Sequence, residues 1–321
     1  MITARAHTNI ALLKYWGKKD ENLILPFNDS ISLTLDRFYT DTSVEFDANL
    51  VEDTITVDHQ PLIGPGLKRV TRVLDLIRAK SGHNLPAKVF SSNHVPMAAG
   101  LASSSSAFAA LAAAAAKASG LILSNRELSI LARHGSGSAS RSIFGGFVQW
   151  HAGFDNQSSY AESIQCPVDW DVNLITVLID TKQKKVSSTI GMQSVAKTSP
   201  FFPAWVKSAQ ADVKPIKNAI LNKNLASLGE LAEQNAMRMH ATTFGAIPSF
   251  TYFQPETLAI LNTVRNLRKQ GVECYSTVDA GPNVKIICAS TDNEKVITRL
   301  AAIVGQDRLV VCKPGPGVTY L

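Results

Sequence analysis

No run among the 321 residues approaches the roughly 20 apolar positions that a membrane-crossing helix needs. The Ala-rich stretch 108–116 is short and weakly hydrophobic, which suits a buried helix. A secretory leader is not expected either, because the apolar run 10–13 ends at Lys14. The four cysteines, Cys166, Cys274, Cys288 and Cys312, include no Cys-x-x-Cys pair, and no histidine stands beside them at metal-ligand spacing. Reduced thiols in an unprocessed cytoplasmic protein are the expectation. The net charge of +6 lacks the form that nucleic acid asks for: there is no block of five or six basic residues and no RNP-like aromatic stretch. The excess lies in small clusters at 14–19, 68–78 and 182–185, a distribution that favours a polyanionic small molecule over nucleic acid or a membrane surface.

With 45% hydrophobic and 18% charged residues, the composition is that of an ordinary globular chain, and the length predicts two lobes. Short β-branched runs at 30–35, 40–46 and 53–57 read as strands. A helix is predicted over 67–80, with Leu67, Val70, Leu74 and Ile77 on one face. A strand at 87–92 precedes the loop NHVPMAAGLASSSS and an Ala-rich helix. Ser124 and Glu127 form a capping box that opens another helix, which ends near Gly135. Phe147 to Trp150 reads as a strand, and the polar stretch 155–171 as the join between lobes. Beyond it, strands are expected at 173–179, 274–278, 284–289 and 308–312, with a helix over 293–304. Strands and helices interleave without regular βαβ alternation, so the fold class is α+β.

Pro96 to Ser106, PMAAGLASSSS, places small residues and hydroxyls immediately before a strong helix-forming run. A helix start offers unpaired N–H groups and the positive dipole end to a phosphate, and small side chains let the backbone come close. It is not a Walker loop, since no Gly-Lys-Ser/Thr follows. On spacing alone, a plain Gly/Ser/Ala linker before a helix fits as well. Elsewhere, Tyr15 and Lys18 in KYWGK could clamp an anion, or could be a solvated basic strand edge. In GSGSASRSIFGG, residues 135–146, Arg141 offers a planar grip on a carboxylate among many small donors. Asp279, in DAGPN, stands at a strand end where it could meet a reacting hydroxyl or simply make an Asx-type turn.

Together and in this order, these segments resemble a known family. Pro96, Gly100, Leu101, Ala102, Ser103, Ser104 and Ser105 resemble the ATP loop of the superfamily of galactokinase, homoserine kinase and mevalonate kinase. AHTNIALLKYWGKKD is similar to the mevalonate diphosphate decarboxylases within it, as are GSGSASR, VSSTIGM, MHAT and DAGPN. The resemblance implies a first lobe, 1–170, like domain 2 of ribosomal protein S5, and a ferredoxin-like second lobe, 171–321, carrying Asp279. It also implies ATP and Mg²⁺ as co-substrate and ion, with ATP held by Ser92, Asn93 and the loop, and the metal at Ser105. The phosphorylated acid would meet Tyr15, Lys18, Ser136, Gly137, Ser138, Ser140, Arg141 and Ser188. Asp279, Arg141 and Lys18 would be the catalytic set. Many bacterial members carry Arg where this chain has Thr189, which leaves Lys18, Arg72 or Lys185 to cap the diphosphate.

The implied activity is ATP-dependent decarboxylation of mevalonate 5-diphosphate to isopentenyl diphosphate, in a cytoplasmic protein with no nucleic-acid or membrane partner. A homodimer is the implied assembly. The alternatives are a mevalonate-type kinase, a mevalonate 5-phosphate decarboxylase, and an RNA-binding protein using the S5-like lobe.

Overall fold

The computed structural model describes residues 1–94, 103–179 and 185–321. In chain order the elements are β1 (Ile2–Leu13), β2 (Lys18–Asp20), β3 (Leu25–Pro26), β4 (Ser30–Phe46), β5 (Thr54–Val57), β6 (Gln60–Pro61), α1 (Pro65–Ser81), β7 (Ala87–His94), α2 (Ser103–Ala118) and α3 (Asn125–Gly135). A 3-10 helix, Gly137–Ile143, leads to β8 (Phe147–Trp150), β9 (Ala161–Gln165) and β10 (Asn173–Val177). Then come α4 (Ser188–Thr198), α5 (Phe202–Leu221), α6 (Leu225–Phe244), α7 (Pro255–Lys269), β11 (Cys274–Val278), β12 (Val284–Cys288), α8 (Asn293–Val304), β13 (Leu309–Cys312) and β14 (Thr319–Tyr320).

The first sheet has eight strands, ordered β14-β1-β4-β7-β5-β6, with β8 and β9 branching from β4. The long β4 makes this branching possible: residues 39–46 pair with β7, while 30–33 pair with β8. The helix expected over 67–80 forms as α1 and buries Val70, Val73, Leu74 and Ile77; Gly82 closes it in the left-handed region. The Ala-rich α2 lies at the centre of this lobe, where alanines 109, 110 and 112–115 are fully buried and let neighbours approach closely. Ser124 and Glu127 make the capping box read from the sequence, and α3 runs to Gly135 as expected.

The second sheet has the order β11-β12-β10-β13, every neighbouring pair antiparallel. This is the ferredoxin-like arrangement, in which β10 sits between the hairpin β11–β12 and the edge strand β13. Helices α7 and α8 cover one face through Ile260, Val264, Val296 and Leu300. The other face packs into a cluster that also takes in Ile10, Leu12, Trp16, Ile31 and Leu33 from the first lobe and Trp205 and Leu228 from α5 and α6. One apolar core therefore joins the lobes, and each such side chain contributes about 1.5–3 kcal/mol when fully buried. Among the described residues, no helix is long and apolar enough to cross a membrane.

Two segments differ from the sequence reading. The polar stretch 155–171 is not all connection, since 161–165 form β9 and pair with β8. Only Ala161 of that strand is fully buried, so an edge strand carries the polar composition of a loop. The chain's end, expected within the second lobe, returns to the first: Tyr320 pairs with Ala4 and Thr319 with Arg5.

Candidate active site

The site begins where β1 ends. Lys14 follows an apolar strand and its side chain is only 2% exposed, so its charge requires a partner. The partner is Asp279: Lys14 Nζ lies 2.7 Å from Oδ1, and it also donates to the Ala11 carbonyl at 2.7 Å. A second ammonium, Lys285 of β12, stands 3.0 Å from Asp279 Oδ2. The backbone of Lys14 is fixed from both sides, its N–H donating to Asn235 Oδ1 of α6 and its carbonyl accepting from Asn28. Burial alone would raise the Asp279 pKa, but the two ammoniums prevail and hold it far below the usual carboxylate range. Asp279 is thus a fixed anion and a weak base, its side chain 31% exposed to the cavity it lines.

The turn that carries Asp279 is anchored at each end. The Gly281 N–H donates to the Asp279 carbonyl at 2.8 Å, Thr257 of α7 donates to the Pro282 carbonyl at 2.9 Å, and Ile179 N–H donates to Asn283 Oδ1 at 2.7 Å. Behind it, His240 of α6 bonds the Val278 carbonyl; burial pushes its pKa down to about 4, so the ring is neutral at pH 7.

The cavity in front of Asp279 has a volume of about 470 Å³. Lys14, Lys18, Arg69, Arg72 and Arg141 line it against two carboxylates, Glu21 and Asp279, which makes it an anion site. Tyr15 lines it too, its ring edge-on to Trp150 at 4.8 Å and its buried hydroxyl without a partner among the described residues. Burial raises the phenol's pKa, so it remains a donor. Gly17, at φ +95°, makes the turn after Trp16, and the Phe202 ring packs where any Cβ would project. Lys18, expected as a catalytic cation, lines the cavity with its ammonium 2.8 Å from Glu21; the cations on Asp279 are Lys14 and Lys285.

The serine-rich segment forms the wall opposite. Ser136, Gly137, Ser138 and Arg141 all line the cavity. Arg141 is 2% exposed and held by Asn9 Oδ1 at 3.2 Å and by the Ser30 hydroxyl, which sets the guanidinium plane. Burial lowers its pKa to about 10, so it keeps its charge at neutral pH. Ser140 departs from the sequence reading: it is fully buried, its hydroxyl donates to the Gly137 carbonyl at 2.7 Å, and it does not line the cavity. In a 3-10 helix side chains three apart share a face, so Ser138 and Arg141 meet the cavity together while Ser140 and Ala139 are turned into the protein.

Ser188 and Thr189, in the first turn of α4, close another side, where the helix presents its positive end. Of the cations offered as diphosphate caps, Lys18 and Arg72 line the cavity, whereas Lys185 is exposed and does not. In the expected nucleotide loop, Pro96, Gly100, Leu101 and Ala102 lie outside the described residues, as does the side chain of Ser103. Ser104 lines the cavity, its hydroxyl 3.2 Å from that of Ser136. Ser105 is fully buried at the head of α2 and does not line the cavity. Ser92 and Asn93, on β7, do not line it either: Ser92 is exposed, and Asn93 is bound to Asp58 and Thr40.

Sequence reasoning passed over Lys14, Lys285, Asn9 and Arg69. The usable signal was a lone lysine set in an apolar run, at the end of a strand in ALLKYW and within one in NVKIIC, because such a buried charge persists only when paired.

Fold and site together define a two-lobed α+β enzyme that handles a small phosphorylated anion in the cleft between its lobes. Residues 6–161 match the diphosphomevalonate decarboxylase-like N-terminal domain, and residues 174–312 the mevalonate 5-diphosphate decarboxylase C-terminal domain. The chain belongs to the diphosphomevalonate decarboxylase family. The diphosphomevalonate decarboxylase of Aspergillus fumigatus is 34% identical over 324 residues, covering 94% of this chain and 80% of that protein. The phosphomevalonate decarboxylase of Haloferax volcanii is 31% identical, covering 88% of this chain and 87% of its own. The solved mevalonate diphosphate decarboxylase of Staphylococcus aureus superposes with a TM-score of 0.96 at 42% identity, over 100% of this chain and 98% of that one. The Enterococcus faecalis enzyme gives 0.94 at 44% identity, with the same coverage. A structure at 45% identity and TM-score 0.94, again over 100% and 98%, is a complex with MVAPP, AMPPCP and magnesium.

Proposed function

We propose that this protein converts mevalonate 5-diphosphate and ATP into isopentenyl diphosphate, carbon dioxide, ADP and phosphate. The observation that carries this reading is a carboxylate, Asp279, fixed between two ammoniums on the wall of a cation-lined cavity shared with Arg141 and the first turn of α2. A tertiary alcohol leaves poorly, so the C3 oxygen first takes the γ-phosphoryl group of ATP and gives up its proton. The C3–O bond then breaks towards phosphate, and the electrons of the C–CO₂ bond form the new double bond. Phosphoryl transfer of this kind asks mainly for positioning and charge neutralisation. Asp279 orients the C3 hydroxyl; as a weak base, it accepts the proton late, when the oxygen is already becoming acidic. Arg141 holds the carboxylate in line with the breaking bonds, and its role is alignment.

Lys18, Arg72, Tyr15 and the α4 start with Ser188 take the diphosphate, which relieves Lys18 of Glu21. The Ser104 hydroxyl at the head of α2 would suit the hard-oxygen preference of magnesium, which would supply charge neutralisation on the nucleotide phosphates, whereas the buried Ser105 does not reach the cavity. The two lobes divide near residue 170, the first serving the nucleotide and the second carrying Asp279. Four unpaired cysteines accord with a cytoplasmic setting, and the assembly is a homodimer, which sedimentation would check. Cations gathered in a cavity favour a small anion over nucleic acid.

The test supplies Mg²⁺, ATP and either mevalonate 5-diphosphate or the monophosphate, and follows ADP and carbon dioxide together. Equal release with the diphosphate is expected. Preference for the monophosphate would favour the reading suggested by the Haloferax relative, and ADP without carbon dioxide would indicate a kinase.

A further inference from the structure

Lys285 lies in a strand whose five residues are all buried, and it is the only charged one among them. Its cross-strand neighbours are Thr277 on β11 and Thr176 on β10. Residues 285 and 287 share a face, and Ile287 belongs to the core that joins the lobes, so the lysine side chain leaves the sheet towards the first lobe. Besides Asp279 Oδ2 at 3.0 Å, its ammonium donates to the Asn283 carbonyl at 3.3 Å, on the turn that carries Asp279. One ammonium thus holds both a carboxylate oxygen and the turn's backbone. Lys14 holds the other oxygen from the opposite lobe. The carboxylate plane is defined at two points, one from each lobe.

We propose that Lys285 is a positioning residue for the reaction: paired with Lys14, it fixes the Asp279 carboxylate across the lobe junction so that one edge faces the C3 hydroxyl. A single ammonium would leave the carboxylate free to swing about Cβ, and sub-ångström placement of a reacting group carries a large share of the rate in such transfers. Lys285 does not line the cavity, so it acts through Asp279 and not on the substrate. Its removal therefore lowers kcat and leaves substrate binding nearly intact.

Among the described residues, the charged and titratable groups facing Asp279 are Lys14 just after β1, Lys285 from β12, Arg141 from the 3-10 helix and His240 from α6. Lys14 feels Lys285 as a like charge that lowers its pKa, alongside the larger effect of burial. Removing Lys285 therefore raises the Lys14 pKa; loosened packing would raise it too, so Lys285→Arg, which keeps the like charge and should leave the Lys14 titration near the parent's, is the control.

The inference rests on the decarboxylase reading for its kinetic arm only. For Lys285→Met, kcat falls by about tenfold or more while KM for mevalonate 5-diphosphate stays within about threefold. Lys285→Arg, which keeps a cation in the strand, recovers part of the rate. In ¹³C-labelled lysine spectra, the Lys14 Cε titration moves to higher pH in Lys285→Met. Should the Met variant lose its fold, Lys285→Gln keeps a donor and removes the charge, with the same expected readings. Unchanged kcat in a folded variant, or a rate loss matched by an equal rise in KM, would overturn the proposal. So would an unmoved Lys14 titration. If the parent protein released no carbon dioxide, the decarboxylase reading would fail, while the Lys14 titration would still report the coupling to Lys285.

Discussion

Replacing Asp279 by Asn removes one charge and almost no volume, yet it leaves two buried ammoniums facing each other. Lys14 and Lys285 are 2% and 1% exposed, and both currently spend their charge on this carboxylate. Breaking a buried pair by removing one partner costs about 3–5 kcal/mol; the opening of Asp279 onto the cavity argues for the lower end, about 3 kcal/mol. For a lobe of this size, that lowers Tm by about 6–12 °C. The loss depends on pH with a definite sign. Burial already lowers the Lys14 pKa, and removing Asp279 takes away the attraction that opposes it. The folded variant then sheds a proton that the unfolded chain keeps up to about pH 10.4, so its stability rises with pH in that window. Melting curves of parent and variant at pH 7, 8 and 9 should show a gap that narrows upward. Carbon dioxide release should fall by about 10²-fold or more throughout. Equal melting temperatures, a gap independent of pH, or a rate within a few-fold of the parent would refute the ammonium–carboxylate–ammonium account.

Three further substitutions probe the walls of the cavity. Gly137→Ala places a Cβ 2.8 Å from Trp150 and 2.9 Å from Tyr15, so it should cost about 1–3 kcal/mol of stability and raise KM for the phosphorylated acid, as melting and initial rates would show. Arg141→Lys keeps the charge but loses the bonds to Asn9 and Ser30, and single-turnover assays should show carbon dioxide release slowed about tenfold or more. Ser104→Ala should weaken nucleotide binding about tenfold and change affinity for the phosphorylated acid less, which calorimetry with each ligand separately would reveal.

Local chemistry was legible in the sequence. The capping box at Ser124 and Glu127, the amphipathic α1, the Arg141 segment and the strand-end Asp279 all follow from patterns a few residues long. The ordered set of motifs also pointed to the family. Edge strand β9 was not legible, because one buried residue in five leaves no alternation to detect. Nor was the inward turn of Ser140, which depends on 3-10 geometry within a segment that reads as uniformly polar. In isolation DAGPN is a turn that would accept Asn as readily as Asp. Tertiary structure makes it a charged clamp, by bringing Lys14 against a residue 265 positions away and adding Lys285 from the neighbouring strand. A local pattern specifies where a charge sits on its own strand. Which charge it must neutralise depends on how the lobes pack, because burying an ammonium is tolerable only once its partner arrives from elsewhere in the chain.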